Sequence, residues 1–203
     1  MKMVYNGKEY EITSEQELSI NKILGVVKFP LKVKDFDVFT IADIEFIKFP
    51  SENGKTPILA KNILFSSTFG ETNNLSEATE LLDMLKSEVL SKVENAIGKE
   101  NVLEFETDLT ALDGMKDYGK FKSKISLPTF DFIRNNVEVL DKYNPEKSYY
   151  IATPLSTPKR GYSRNVCYVN SFGVVNWDDC DWHLGVRPFL NLESSVSVLL
   201  AEN

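Results

Sequence analysis

No helical period runs through the last quarter of the chain, Tyr149 to Leu192, and this constrains the fold more than any other feature. The stretch reads YYIATPLSTPKRGYSRNVCYVNSFGVVNWDDCDWHLGVRPFLNL. Short β-branched and aromatic runs alternate with loops of small polar, acidic and aromatic residues. Runs of this length bury their apolar side chains only as members of a sheet, so the chain needs other strands to pair with them. Val26 to Pro50 supplies such strands, at Phe36, Val38 and Thr40 and at Ile44, Phe46 and Ile47. The apolar run Pro57–Phe65 reads as one more, buried on both sides.

Two segments in the middle carry the helical period instead. From Ser76 to Ile97, residues Ala78, Leu81, Leu82, Leu85, Val89, Val93 and Ala96 recur at spacings of three and four. Ser76 is placed to cap this helix and Gly98 to end it. From Thr129 to Tyr143, Thr129 caps after Pro128, and Phe132, Ile133, Val137, Leu140 and Tyr143 face the core. Pro145 blocks continuation. Strands at both ends with helices 76–97 and 129–143 between them predict an α+β fold. Its sheet is mainly antiparallel, and its first and last strands can meet. Residues 1–12 read as a hairpin about Asn6-Gly7, and Ser14 to Leu24 as a short amphipathic helix or arm. The expected division is therefore an N-terminal hairpin and arm over 1–25 and one domain over 26–203.

A chain of 203 residues with 42% hydrophobic and 26% charged residues can bury a core without disulfides or metals. The net charge of −7 disfavours general nucleic-acid binding. The Lys-rich segments Lys28–Lys34 and Lys116–Lys124 read as solvated faces. Cys167 and Cys180 do not make a disulfide framework, which fits a reducing compartment. No apolar run reaches membrane length and no signal-type h-region opens the chain. The expectation is a protein cytoplasmic at synthesis, without a membrane partner, with virion association left open.

Few residues invite chemistry. His183 is the only histidine; Asp178, Asp179 and Asp181 stand close to it in sequence, which is not triad geometry. The same three aspartates resemble part of a Ca²⁺ loop, but lack the Gly and Glu that an EF-hand needs. The readings left are a Ca²⁺ site of another kind or a solvated acidic loop, and no cofactor is otherwise expected. No dinucleotide, P-loop or zinc motif is present. Arg187, between Gly and Pro at the start of a buried strand, is expected to pair with a carboxylate, with Asp108 and Asp131 as candidates. Trp177 and Trp182, with Tyr162, Tyr168 and Phe172 nearby, are either core plugs or binding anchors.

Several stretches together resemble a family of uncharacterised phage- and prophage-encoded proteins with a C-type-lectin-like fold. They are FGETNN (Phe69–Asn74), ENVLEFETDLTALDGMKDYG (Glu100–Gly119), SLPTFDFIRNNVEVLDKY (Ser126–Tyr143), ATPLSTP (Ala152–Pro158) and GVRPFL (Gly185–Leu190). The resemblance implies paired N- and C-terminal strands, two helices packed on the sheet, and a long loop region that displays variable residues. Related lectin-like folds include formylglycine-generating enzymes, phage receptor-binding tips and the diversified targets of retroelements. The motifs that surround the enzymes' reactive cysteines are missing here. Adenine-directed change of Asn codons reaches the polar loop residues, but not Trp177 or Trp182.

These readings converge on a non-enzymatic binding protein. Its expected contact surface is Tyr162, Ser163, Asn165, Asn176, Trp177, Asp178, Asp179, Asp181, Trp182 and His183, turned to a protein or glycan ligand. The acidic loop predicts a basic or Ca²⁺-bridged partner. An intracellular phage factor that binds a host protein is the alternative, followed by an enzyme of the formylglycine-generating kind. A homo-oligomer is compatible with each, although no coiled-coil heptads appear.

Overall fold

Runs of β-branched and aromatic residues place the strands, and which faces they cover decides how polar each strand is. The protein was analysed as a computed structural model, which describes residues 2–5, 8–11, 26–28 and 33–199. Strands β1 (Lys2–Tyr5) and β2 (Lys8–Glu11) pair antiparallel with Tyr5 opposite Lys8. The expected Ser14–Leu24 helix or arm lies outside the described residues, as does most of Lys28–Lys34. Next come β3 (Val26–Lys28), β4 (Val38–Ile41), β5 (Ile44–Lys48), β6 (Lys55–Ala60) and β7 (Phe65–Ser67).

The sheet through β5 and β6 is covered on both faces. Phe46 and Ile58 enter one apolar cluster, and Ile47 and Leu59 enter another on the opposite side. That is why these strands read as continuous apolar runs and not as alternating ones. The Pro57–Phe65 run is not one strand, however. It leaves the first sheet after Ala60 and re-enters a second one at Phe65. At the crossing Lys61 Nζ and Asn62 Nδ2 both donate to the Glu45 carboxylate at 3.1 Å.

The first helix is α1 (Thr79–Leu85), which passes through one π-helical turn, Lys86–Leu90, into α2 (Ser91–Ile97). Ser76 does not cap it. Leu75–Glu77 is a separate 3₁₀ turn, and Asn74 Oδ1 accepts the Ser76 N–H at 3.2 Å and its hydroxyl at 2.8 Å. The stripe from Ala78 to Val93 is buried as its spacing requires. Beyond Val93 the stripe continues at a spacing of four, as it does from Leu85 through Val89. Ile97 therefore packs on the core and Ala96 is exposed.

Strands β8 (Val102–Leu103), β9 (Phe105–Asp108), β10 (Lys120–Ser123) and β11 (Ile125–Ser126) lead to the second helical region. Thr129 Oγ1 accepts the Phe132 N–H at 3.2 Å and opens α3 (Phe130–Asn135). The helix breaks at Asn136, whose side chain donates to the Phe132 carbonyl at 2.9 Å; such local bonds compete with the helical ladder. A second piece, α4 (Val137–Lys142), follows. Ile133 and Leu140 are buried, but the break turns Val137 out to solvent.

The chain closes with β12 (Tyr149–Pro154), β13 (Asn165–Val169), β14 (Val175–Asp179), β15 (Leu184–Val186), β16 (Phe189–Glu193) and β17 (Ser197–Leu199). The main sheet runs β11-β16-β6-β5-β4-β17-β3, with β8 also on β16, and the second runs β14-β13-β12-β15-β7. Among the described residues every strand pairing is antiparallel except β12 with β15. The fold is therefore α+β with mostly antiparallel sheets, and the late strand β17 lies between β3 and β4. No described helix is long and apolar enough to cross a membrane.

Arg187 departs from expectation. Its side chain is fully buried, but no carboxylate among the described residues reaches it. Nε donates to the Ala60 carbonyl at 3.0 Å, and the guanidinium lies 4.7 Å from the centre of the Tyr149 ring. Nη1 and Nη2 have no hydrogen-bond partner among the described residues. Burial pulls its pKa down, partly offset by the Tyr149 phenol. Asp131 instead pairs with Arg134 at 3.2 Å, and Asp108 accepts the Thr110 N–H at 2.8 Å. Both carboxylates sit on exposed elements, whereas Arg187 enters the sheet interior beside Ala60.

Candidate functional site

The β13–β14 hairpin forms the outer edge of the second sheet. Its turn is built by one residue. Asn170 Oδ1 accepts the N–H of Phe172 at 2.9 Å and of Val174 at 3.0 Å, while its own N–H donates to the Val174 carbonyl. Gly173 has φ of 77°, and a Cβ there would approach Asp141 Oδ1 to 2.9 Å. The positive φ is what favours glycine here, since the exposed Asp141 side chain can swing aside. The turn lifts Phe172 into solvent at 86% exposure, with Val174 beside it.

Among the described residues strand β14 has no neighbour on its far side. Its edge is nonetheless partly closed. Asn176 Oδ1 accepts the N–H of Trp177, and Asp178 Oδ1 accepts the N–H of Asp179, both at 2.9 Å. These side chains occupy donors that an added strand would use, a common protection of an open edge. Asn176 and Asp178 thus serve the strand itself. Trp177 lies opposite Cys167 in the ladder and remains 49% exposed.

At the far end of β14 the acidic loop is organised by a cation. Arg164 Nη2 reaches Asp179 at 2.9 Å and Asp181 at 3.1 Å, and Nη1 donates to the Glu71 carbonyl at 3.2 Å. Arg164, through its hydrogen bond, holds the Asp179 carboxyl below its ordinary range. Two of the three aspartates are therefore engaged by Arg164, and no group of described residues could hold a metal ion. Asp179 and Asp181 thus turn toward Arg164, while Asp178 turns to its own strand. Tyr150 donates its hydroxyl to the Trp182 carbonyl, which fixes the backbone while the indole stays 55% exposed. His183 is exposed beside it. A cleft of about 440 Å³, lined in part by Glu71, Glu77, Glu80 and Asp181, adjoins this loop.

Tyr162, Ser163 and Asn165 are placed by a residue to which the sequence assigned no role. Asn73 is fully buried. Its Nδ2 donates to the carbonyls of Tyr162 at 2.7 Å, Asn165 at 2.7 Å and Ser156 at 3.1 Å. Its backbone N–H donates to Ser163, and its Oδ1 accepts the Tyr118 hydroxyl at 2.7 Å. Burial raises the Tyr118 pKa to about 12. The loop before β13 is clasped again by Asp113, which accepts the Ser156 hydroxyl at 2.6 Å, and by Asp117, which accepts the Thr157 hydroxyl at 2.7 Å. Tyr162 emerges from this clasp 47% exposed. An Asn73 role is hard to read from sequence, because its side-chain partners lie 45 to 92 residues away.

The two cysteines are free and buried. They belong to different apolar clusters, Cys180 in the first and Cys167 in the second. Desolvation raises both thiols, Cys167 to about 12. Neither has the accessible, depressed-pKa setting of a reactive cysteine. Native protein is expected to react with a thiol-specific disulfide reagent at least about tenfold more slowly than protein unfolded in urea. Equal rates would show that one thiol is accessible. The Lys-rich stretch 116–124 makes no free basic patch, since Lys120, Lys122 and Lys124 pair with Glu106, Glu104 and Glu94.

Comparison of the chain with family models, with curated proteins and with solved structures finds no match.

Proposed function

We propose that this protein is a non-enzymatic binding protein of phage or prophage origin, with a C-type-lectin-like scaffold. It takes a protein or glycan ligand along the outer hairpin of its second sheet. The observation that carries this reading is the set of exposed aromatic residues on one hairpin and the loops flanking it: Phe172, Trp177, Trp182 and Tyr162. Their backbones are held by dedicated hydrogen bonds from Asn170, Asn176, Tyr150 and Asn73. Rigid aromatic side chains give a large contact area at small entropic cost, and they dominate binding energetics where they occur. Pairing of strands from both ends of the chain and two helical regions agree with the lectin-like expectation.

The surface differs in detail from the ten residues picked out by sequence. Phe172 and Val174 join it. Asn176 and Asp178 support the edge, and Asp179 and Asp181 face Arg164. Recognition then rests on aromatic contact more than on acidic charge.

The test is capture from bacterial lysate and from a glycan array, with wild type beside Trp177→Ala and Trp182→Ala. A saturable ligand should lose about 30-fold in affinity with each variant, the size of a hot-spot truncation, while circular dichroism stays unchanged. Undiminished binding by both variants would move recognition elsewhere on the molecule.

A further inference from the structure

The edge of the main sheet changes hands along β16. Strand β8 pairs with Asn191 and Leu192, and then β11 takes the neighbouring positions Phe189 and Leu190. Displaced by β11, β9 leaves the sheet and pairs only with β10. A strip of sheet face stays uncovered between that hairpin and the start of α3. It forms a groove of about 720 Å³, within the size range of ligand sites.

Three features of the groove point to one kind of occupant. Its floor is aromatic: Phe189 stands edge-on to Phe105 at 5.5 Å and to Phe132 at 4.9 Å. One wall consists of five consecutive residues, Glu104 to Asp108. Successive side chains of a strand point to opposite faces, so a run of five means that β9 turns its edge to the groove. Among the described residues that edge has no strand beside it. The third feature is Asn191, which is only 8% exposed and lines the groove. Its side-chain amide makes no hydrogen bond with the described residues. An amide offers donors and an acceptor together, which complements a peptide group. On the rim, Lys120 pairs with Glu106 and Lys122 with Glu104, so these four charges offset one another; Asp108 is left over, and the groove disfavours a negatively charged ligand.

We propose that this groove binds a non-acidic, extended peptide segment of a partner protein as an added strand on β9. An apolar side chain of the peptide rests on the phenylalanine floor, and one of its peptide groups pairs with the Asn191 amide. Main-chain pairing supplies affinity in this mode, and the floor supplies selectivity. The site is separate from the aromatic hairpin edge and stands whether or not that edge binds a ligand.

The experiment is an NMR titration of the ¹⁵N-labelled full chain with capped heptapeptides, randomised around a central phenylalanine. Shifts should concentrate on the amides of Glu104–Asp108 and on the Asn191 side chain, and saturate below millimolar concentration. A matched pool N-methylated on its central residues should bind about tenfold more weakly, as should the Asn191→Leu variant. The N-methylated pool needs no variant to fold. If it shifts the same resonances equally well, or if no shift occurs at the highest soluble concentration, the strand-addition proposal fails. Shifts of these amides by adenosine but not by peptides would assign the groove to a planar base and likewise overturn it.

Discussion

Replacing Asn73 with leucine should destabilise the protein by about 4 kcal/mol, because a single buried amide serves four distant groups. Leucine is of similar size, so the effect reports hydrogen bonding more than volume. The carbonyls of Ser156, Tyr162 and Asn165 and the hydroxyl of Tyr118 would all lose their Asn73 partner. Each stranded buried group costs about 1–3 kcal/mol, and the Tyr162 side of the loop can recover part of this from water. For a chain of this size that corresponds to a fall of roughly 8–16 °C in the thermal midpoint. Tyr118→Phe removes one of the four bonds and should cost only about 1 kcal/mol. Urea denaturation of the three proteins measures both effects. An Asn73→Leu midpoint indistinguishable from wild type would mean that the loop does not depend on this residue. Because Asn73 fixes the carbonyl of Tyr162, the variant should also disturb the hairpin end of the binding surface.

Arg187 gives the second large effect, and its sign depends on what surrounds the guanidinium. A buried arginine paired with a carboxylate is costly to replace, since the orphaned carboxylate costs about 3–5 kcal/mol. Here the guanidinium has a carbonyl and a tyrosine ring but, among the described residues, no carboxylate. Arg187→Met keeps most of the volume and removes two unpaired buried donors, so its stability should fall within about 1 kcal/mol of wild type. Arg187→Ala leaves a cavity between Tyr149 of β12 and Ala60 of β6 and should cost about 3 kcal/mol relative to the methionine variant. Chemical denaturation separates the cases. A methionine variant as unstable as the alanine variant would show that the charge itself holds the strands together.

Much of the fold was legible because it rests on local pattern. The strand at Val38–Ile41, with its alternating burial, the stripe from Ala78 to Val93 and the Thr129 cap all follow from residues within a few positions of one another. The errors share a cause as well. Ser76 and Asn74 can both cap, and only the geometry of the 3₁₀ turn selects Asn74. Asn136 looks like an ordinary helical residue until its side chain takes the Phe132 carbonyl. In the candidate site, Trp177 and Trp182 could be named from sequence, but whether a ring is core or surface depends on what packs over it. Phe172 was less visible, since a phenylalanine in a turn has no sequence mark of its 86% exposure.

By itself, then, the sequence determined the α+β class, the two helical regions, the early strands Val38–Ile41 and Ile44–Lys48, and the residue types available to the outer loops. Those are consequences of periodicity and turn chemistry, which act over a few residues. Only the tertiary structure decided that Arg164 engages Asp179 and Asp181, that Asn73 anchors Tyr162, and that, among the described residues, Arg187 meets no carboxylate and β9 leaves an open edge. Each of these is a contact between residues far apart in the chain, or the absence of one. Burial and pairing at that range are settled by how the two sheets stack, not by local preference.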